Sequence, residues 1–185
     1  MLGAAAGVEA MSQGDLFSGR PQTLNSAREA LMDQLHEGVV CPCCDQYAKV
    51  YRRKLNSGMV RALIWLVRQS GQSTTPGSAF PWTDVPATAP TWVQRSRELP
   101  KLAYWEMIEQ RWNDADPTKR CSGIWRPTRA GERFARSEVP VSSHVYVYNG
   151  SVVGRSDRNT WVREALGVRF DYGELMGHER KDVVP

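Results

Sequence analysis

Apolar residues fall on one broad stripe in LNSGMVRALIWLVRQSG, where Met59, Val60, Leu63, Ile64, Leu66 and Val67 recur at helical spacing. Asn56 or Ser57 stands at its start as a cap and Gly71 marks its end, so the pattern predicts the main core helix. An earlier amphipathic stretch, TLNSAREALMDQLHEG, predicts a first helix capped by Asn25 or Ser26, with Glu29 closing a capping box on Ser26 and Gly38 as the stop. Leu102, Trp105, Met107 and Ile108 predict a third helix from about Leu99 to Gln110, with Pro100 in its first turn. The period then shortens. QRWNDADPTKRCSGIWRPT reads as strand, turn and strand, and Thr128 caps a short helix ended by Pro140. SSHVYVYNGSVVG alternates about Asn149-Gly150, the pair favoured in a type I′ hairpin turn. NTWVREALG predicts a last capped helix, ended by Gly167.

Residues 70 to 91 interrupt this order with Pro, Gly, Ser and Thr, a composition that holds no regular helix and predicts a long loop. Phe80 and Trp82 predict that part of it packs down. The pattern divides the chain into a disordered N-terminus at 1–22, a helix with a cysteine-rich basic arm at 23–55, a central domain at 56–140, a hairpin and helix at 141–175, and a tail at 176–185. The fold class is α+β.

The formal charge of +4 is modest, but it is unevenly placed. Gln46 to Gln69 holds Lys49, Arg52, Arg53, Lys54, Arg61 and Arg68 with no acid. Lys119 to Arg136 holds Lys119, Arg120, Arg126, Arg129, Arg133 and Arg136 against Glu132 alone. Two basic segments with Tyr51, Trp65 and Trp112 nearby suit a polyanion that also offers stacking faces. The bland reading is that each cation is a solvated helix or strand face. The N-terminal MLGAAAGVEAMSQGDLF has no cation before its apolar part, which makes a poor signal peptide, so a cytoplasmic protein in a reducing compartment is expected.

Three of the four cysteines lie in CPCC. Cys41 and Cys44 have the spacing by which two thiolates bind zinc, and Cys43, Cys121, His36 and His144 are the candidates to complete four ligands. Without a second C-x-x-C the alternatives are a redox pair or small buried hydrophobes, and no cofactor is demanded. With His36, His144 and His178 as the only histidines, and no phosphate loop or nucleophile motif, no catalytic constellation emerges.

The string GIWRPTRAGERF resembles the G-aromatic-x-x-T-x-x-G that ends the wing of winged helix-turn-helix proteins, of the kind found in small bacterial and bacteriophage regulators. LPKLAYWEMIE resembles the recognition helix before that wing. Pro127 departs from the usual aliphatic wing residue, and the 70–91 loop is longer than a normal helix connection. The resemblance implies double-stranded DNA as partner, with Arg95, Arg97 and Lys101 on phosphates or base edges and Lys119 and Arg120 on the wing. Arg52, Arg53, Lys54, Arg61 and Arg126 complete the candidate interface, and a homodimer is compatible with the family. The alternative is an adaptor or inhibitor that docks a host or phage protein through Trp82 and Trp92.

Overall fold

The computed structural model describes residues 23–71, 79–113, 118 and 121–177. The chain is divided into two compact units between Val50 and Tyr51. Within the first, α1 (Leu24–Gln34) is followed by a small hairpin of β1 (Val39–Val40) and β2 (Tyr47–Ala48). The cap of α1 is Thr23 rather than Asn25 or Ser26: its hydroxyl accepts the Ser26 N–H at 3.2 Å, so Ser26 is already inside the helix. Val50 N–H donates to the Leu35 carbonyl at 2.8 Å and ties the hairpin's exit to the end of α1.

The second unit opens with β3 (Tyr51–Lys54) and then α2 (Ser57–Ser70). Asn56 caps α2, its side-chain oxygen accepting from Met59 N–H at 2.9 Å, which fixes the start of the apolar stripe. Eight residues of α2 are buried, including Val60, Ala62, Leu63 and Leu66 with no more than a trace of exposure. A helix this enclosed is the hub of its core. It packs against the segments Thr83–Asp84, Leu99–Trp105, Ile124–Pro127, Arg129–Ala135, Val162–Leu166 and Tyr172–Met176.

Next come β4 (Thr83–Asp84), α3 (Val85–Thr88), α4 (Thr91–Ser96), a 3-10 helix (Leu99–Trp105), β5 (Ile108–Gln110), β6 (Ile124–Pro127) and α5 (Arg129–Ala135). Thus the second half of the expected long loop is structured. Asp84 caps one helical turn through Ala87 N–H at 3.0 Å, and Thr83 pairs with Trp125 as an edge strand. Residues 72–78 of that loop lie outside the described residues. The expected helix from Leu99 to Gln110 is not formed. Leu99, Leu102 and Trp105, all buried, repeat every three residues, the period of a 3-10 helix, and Glu106 at φ 58° breaks it before β5 begins. β4, β6 and β5 form an antiparallel sheet in that order.

Then follow β7 (Val141–Ser142), β8 (His144–Tyr148), β9 (Ser151–Arg155), β10 (Asn159–Thr160), α6 (Val162–Leu166) and α7 (Tyr172–Met176). β7 pairs with β10. The β8–β9 turn is type I′, with positive φ at both Asn149 (47°) and Gly150 (77°). A second sheet has the order β3–β8–β9, which pairs Tyr51 with Val147 and Lys54 with His144. The segment read as a basic arm is therefore an edge strand paired with β8. Val145 and Val147 face the core from β8. Among the described residues no helix is long and apolar enough to cross a membrane.

Candidate nucleic-acid interface

The nominated cations fall into four physical situations. Arg95 and Arg97 are exposed at the end of α4 and form no ion pair among the described residues. Arg97 sits at the bend into the 3-10 helix in the left-handed region, φ 53°. Lys101, one turn further on, is engaged: its Nζ lies 2.8 Å from Glu98, which also accepts from Asn56 at 3.2 Å.

Arg52 and Lys54 are also exposed and without an acidic partner among the described residues. Their registers opposite Tyr146 and His144 put them on the sheet face turned away from Val145 and Val147. Arg53, opposite Val145, is half-buried on the other face, and its Nε has no hydrogen-bond partner among the described residues. Three successive cations on an edge strand also deter unwanted strand pairing, a structural role independent of any ligand.

Arg61 is not a solvent-facing cation. Its guanidinium lies 4.1 Å from the Trp92 ring centroid and 4.3 Å from that of Phe170, so it is held between two aromatic faces. With Trp65, Arg68 and Leu175 it lines a cleft of about 360 Å³. Arg68 donates to the Leu175 carbonyl at 2.9 Å.

The second basic segment is largely neutralised by partners distant or hidden in the sequence. Arg126 pairs with Glu109 at 2.6 Å and stacks on Trp82 at 4.2 Å. Glu132, only 5% exposed, bridges Arg129 at 2.7 Å and Arg136 at 3.1 Å. Arg133 reaches Glu138 at 3.3 Å. Lys119 and Arg120 lie outside the described residues.

Around the sheet face, His144 Nδ1 lies 2.9 Å from the Ser143 hydroxyl. Burial lowers its pKa below the ordinary histidine value, and the charges of Arg52, Lys54 and Arg158 lower it further. This cluster was not evident in the sequence, because Arg158 approaches from the β9–β10 turn. The alternation of HVYVY was the one available signal, since it puts His144, Tyr146 and Tyr148 on one side.

Cys41, Cys43 and Cys44 stand in the β1–β2 hairpin, and Cys121 lies apart from them in sequence, just before β6. Backbone N–H groups of Cys43, then of Cys44, and the Cys44 thiol lower the pKa of Cys41, while partial burial and the Cys41 charge raise that of Cys43. Cys41 and Cys44 offer two of the four ligands that a tetrahedral zinc takes, and among the described residues no group of three or more metal-binding side chains forms.

No family model matches the chain, and no curated protein or solved structure matches it.

Proposed function

We propose that the second unit is a winged-helix-like module that binds duplex DNA in a regulatory or auxiliary role, without catalysis. The observation that carries this reading is the pair Arg95 and Arg97, exposed and unopposed by acid among the described residues, at the bend between α4 and the 3-10 helix. The order of elements supports it. A core helix, an edge strand, three short helical segments and a β5–β6 hairpin follow one another, and β4 pairs with β6 as the first strand of such a module pairs with its wing.

The 3-10 helix buries Leu99, Leu102 and Trp105, and Glu98 neutralises Lys101, so little of it is left to read base edges. Contact through Arg95 and Arg97 is then mainly to phosphate, with weak sequence preference. A gel-shift titration against random duplex at two salt concentrations tests this: affinity falls steeply with salt, and Arg95→Ala with Arg97→Ala reduces the log–log slope by about 1.8.

A second reading, a protein-docking adaptor, is favoured by one observation. A groove of about 350 Å³ beside Arg97 is lined by Val85, Pro86, Val93, Leu99, Pro100 and Trp125. Salt-insensitive capture of a protein partner, with no duplex shifted, selects that reading. Trp82 and Trp92 are less suited to dock, being stacked on Arg126 and Arg61.

A further inference from the structure

The outer face of the β3–β8–β9 sheet joins aromatic rings and cations that have no acidic partner among the described residues. Tyr146 and Tyr148 occupy alternate positions of β8 on the face away from the core, both half-buried. Arg52 lies directly across from Tyr146, and Lys54 across from His144. On the other side Gly154 pairs with Tyr146 and adds no side chain to the face. No Asp or Glu occurs in any of the three strands. Arg158 approaches from the turn after β9, where Ser143 N–H and the Ser156 hydroxyl both donate to its carbonyl, and Asp157 is the acid nearest to it in sequence.

We propose that this face binds single-stranded nucleic acid, with unpaired bases stacked on Tyr146 and Tyr148 and phosphates held by Arg52, Lys54 and Arg158. Two chemical requirements select this occupant. A positive strip without acid favours a polyanion over an apolar or acidic-rimmed protein surface. Stacking then separates unpaired from paired strands. A base can lay its face on a tyrosine ring only where it has left the duplex stack, which a single strand allows and a duplex resists. The site shares no residue with Arg95 and Arg97, and either could fail without the other.

The test is fluorescence polarisation with a labelled twelve-nucleotide oligothymidylate and with a duplex of the same length, using the whole chain at 50 and 200 mM salt. The wild type binds the single strand, and Tyr146→Ala and Tyr148→Ala each weaken it about tenfold while duplex affinity is unchanged. Tyr146→Phe and Tyr148→Phe keep binding within about twofold, because the ring face is retained. Arg52→Ala with Lys54→Ala lowers the single-strand salt slope by about 1.4, and Arg95→Ala with Arg97→Ala leaves it unchanged. Circular dichroism checks each variant, and where Tyr146→Ala does not fold, the Tyr148 pair decides. The proposal is overturned if the wild type does not bind the single strand at 50 mM salt, if both Ala variants bind as the wild type does, if the Phe variants lose as much as the Ala variants, or if duplex binding falls in parallel.

Discussion

Gly131 in α5 packs so closely on Met107 that a Cβ at Gly131 would overlap the Met107 carbonyl oxygen. The same carbonyl accepts the Thr128 N–H at 2.9 Å, while the Thr128 hydroxyl donates to the Glu106 carbonyl at 2.7 Å and accepts from Gly131 N–H at 3.1 Å. Thr128 and Gly131 together therefore lock α5 onto the end of the 3-10 helix. Four backbone groups share one small contact. Gly131→Ala should cost about 1–3 kcal/mol, since backbone rather than a flexible side chain has to give way. Thr128→Ala should cost about 1 kcal/mol, and Thr128→Ser much less because it keeps the cap. Urea unfolding of the three variants measures this, and an Ala variant at Gly131 as stable as the wild type would remove the lock.

Much of this was legible because it is local. The Asn56 and Thr128 caps and the Asn149-Gly150 turn each rest on bonds within about four residues, so short strings specify them. Other features depend on partners far along the chain. The edge strand Tyr51–Lys54 looked like a free arm until Val147 and its neighbours were seen beside it. The 3-10 stretch was read as α-helix because Leu102, Trp105, Met107 and Ile108 also satisfy helical spacing, and only shared burial of Leu99, Leu102 and Trp105 selects period three. Net charge was the least transferable signal. Glu109 and Glu138 lie outside or beyond the Lys119–Arg136 window, so counting within it overstated the free charge.

That difference gives a prediction about which cations matter. Arg133 and Arg126 are paired with Glu138 and Glu109, so replacing either by Ala should change affinity for duplex or single strand by less than about twofold. An exposed pair such as Arg133–Glu138 is worth about 0–1 kcal/mol, so Arg133→Ala should also leave stability nearly unchanged. Loss of binding in Arg133→Ala equal to that in Arg95→Ala would mean that the total charge of the segment, not its geometry, sets affinity.

Arg61 makes the opposite case, a cation whose work is structural. Held between Trp92 and Phe170, it joins α2 to α4 and to the segment before α7. Arg61→Ala should destabilise the unit by about 1–3 kcal/mol through two lost cation–π contacts and the void between the rings. Arg61→Lys should recover only part, because an ammonium lacks the planar face that stacks on both. Thermal unfolding of the two variants distinguishes them, and equal stability of Lys and Arg at this position would argue against stacking.

His144 supplies the pH dependence. Its pKa is lowered by burial and then by Arg52, Lys54 and Arg158, so the folded protein binds fewer protons there than the unfolded chain, whose histidine titrates near about 6.5. The sign follows directly. The histidine imposes no penalty above about pH 6.5, and stability falls as pH drops through that value toward the lower folded pKa. Ser143, Tyr146 and the three cations lie beside it, and although Asp157 stands in the adjoining turn, among the described residues no acid contributes to the shift. His144→Gln should remove this part of the dependence, so the unfolding midpoint of the variant should change less than that of the wild type between pH 7.5 and 5.5. A bound polyanion opposes the field of Arg52, Lys54 and Arg158 and should raise the histidine's pKa. Single-strand affinity should therefore increase on acidification in the wild type and lose that increase in His144→Gln, and parallel pH profiles for the two proteins would place the anion away from this face.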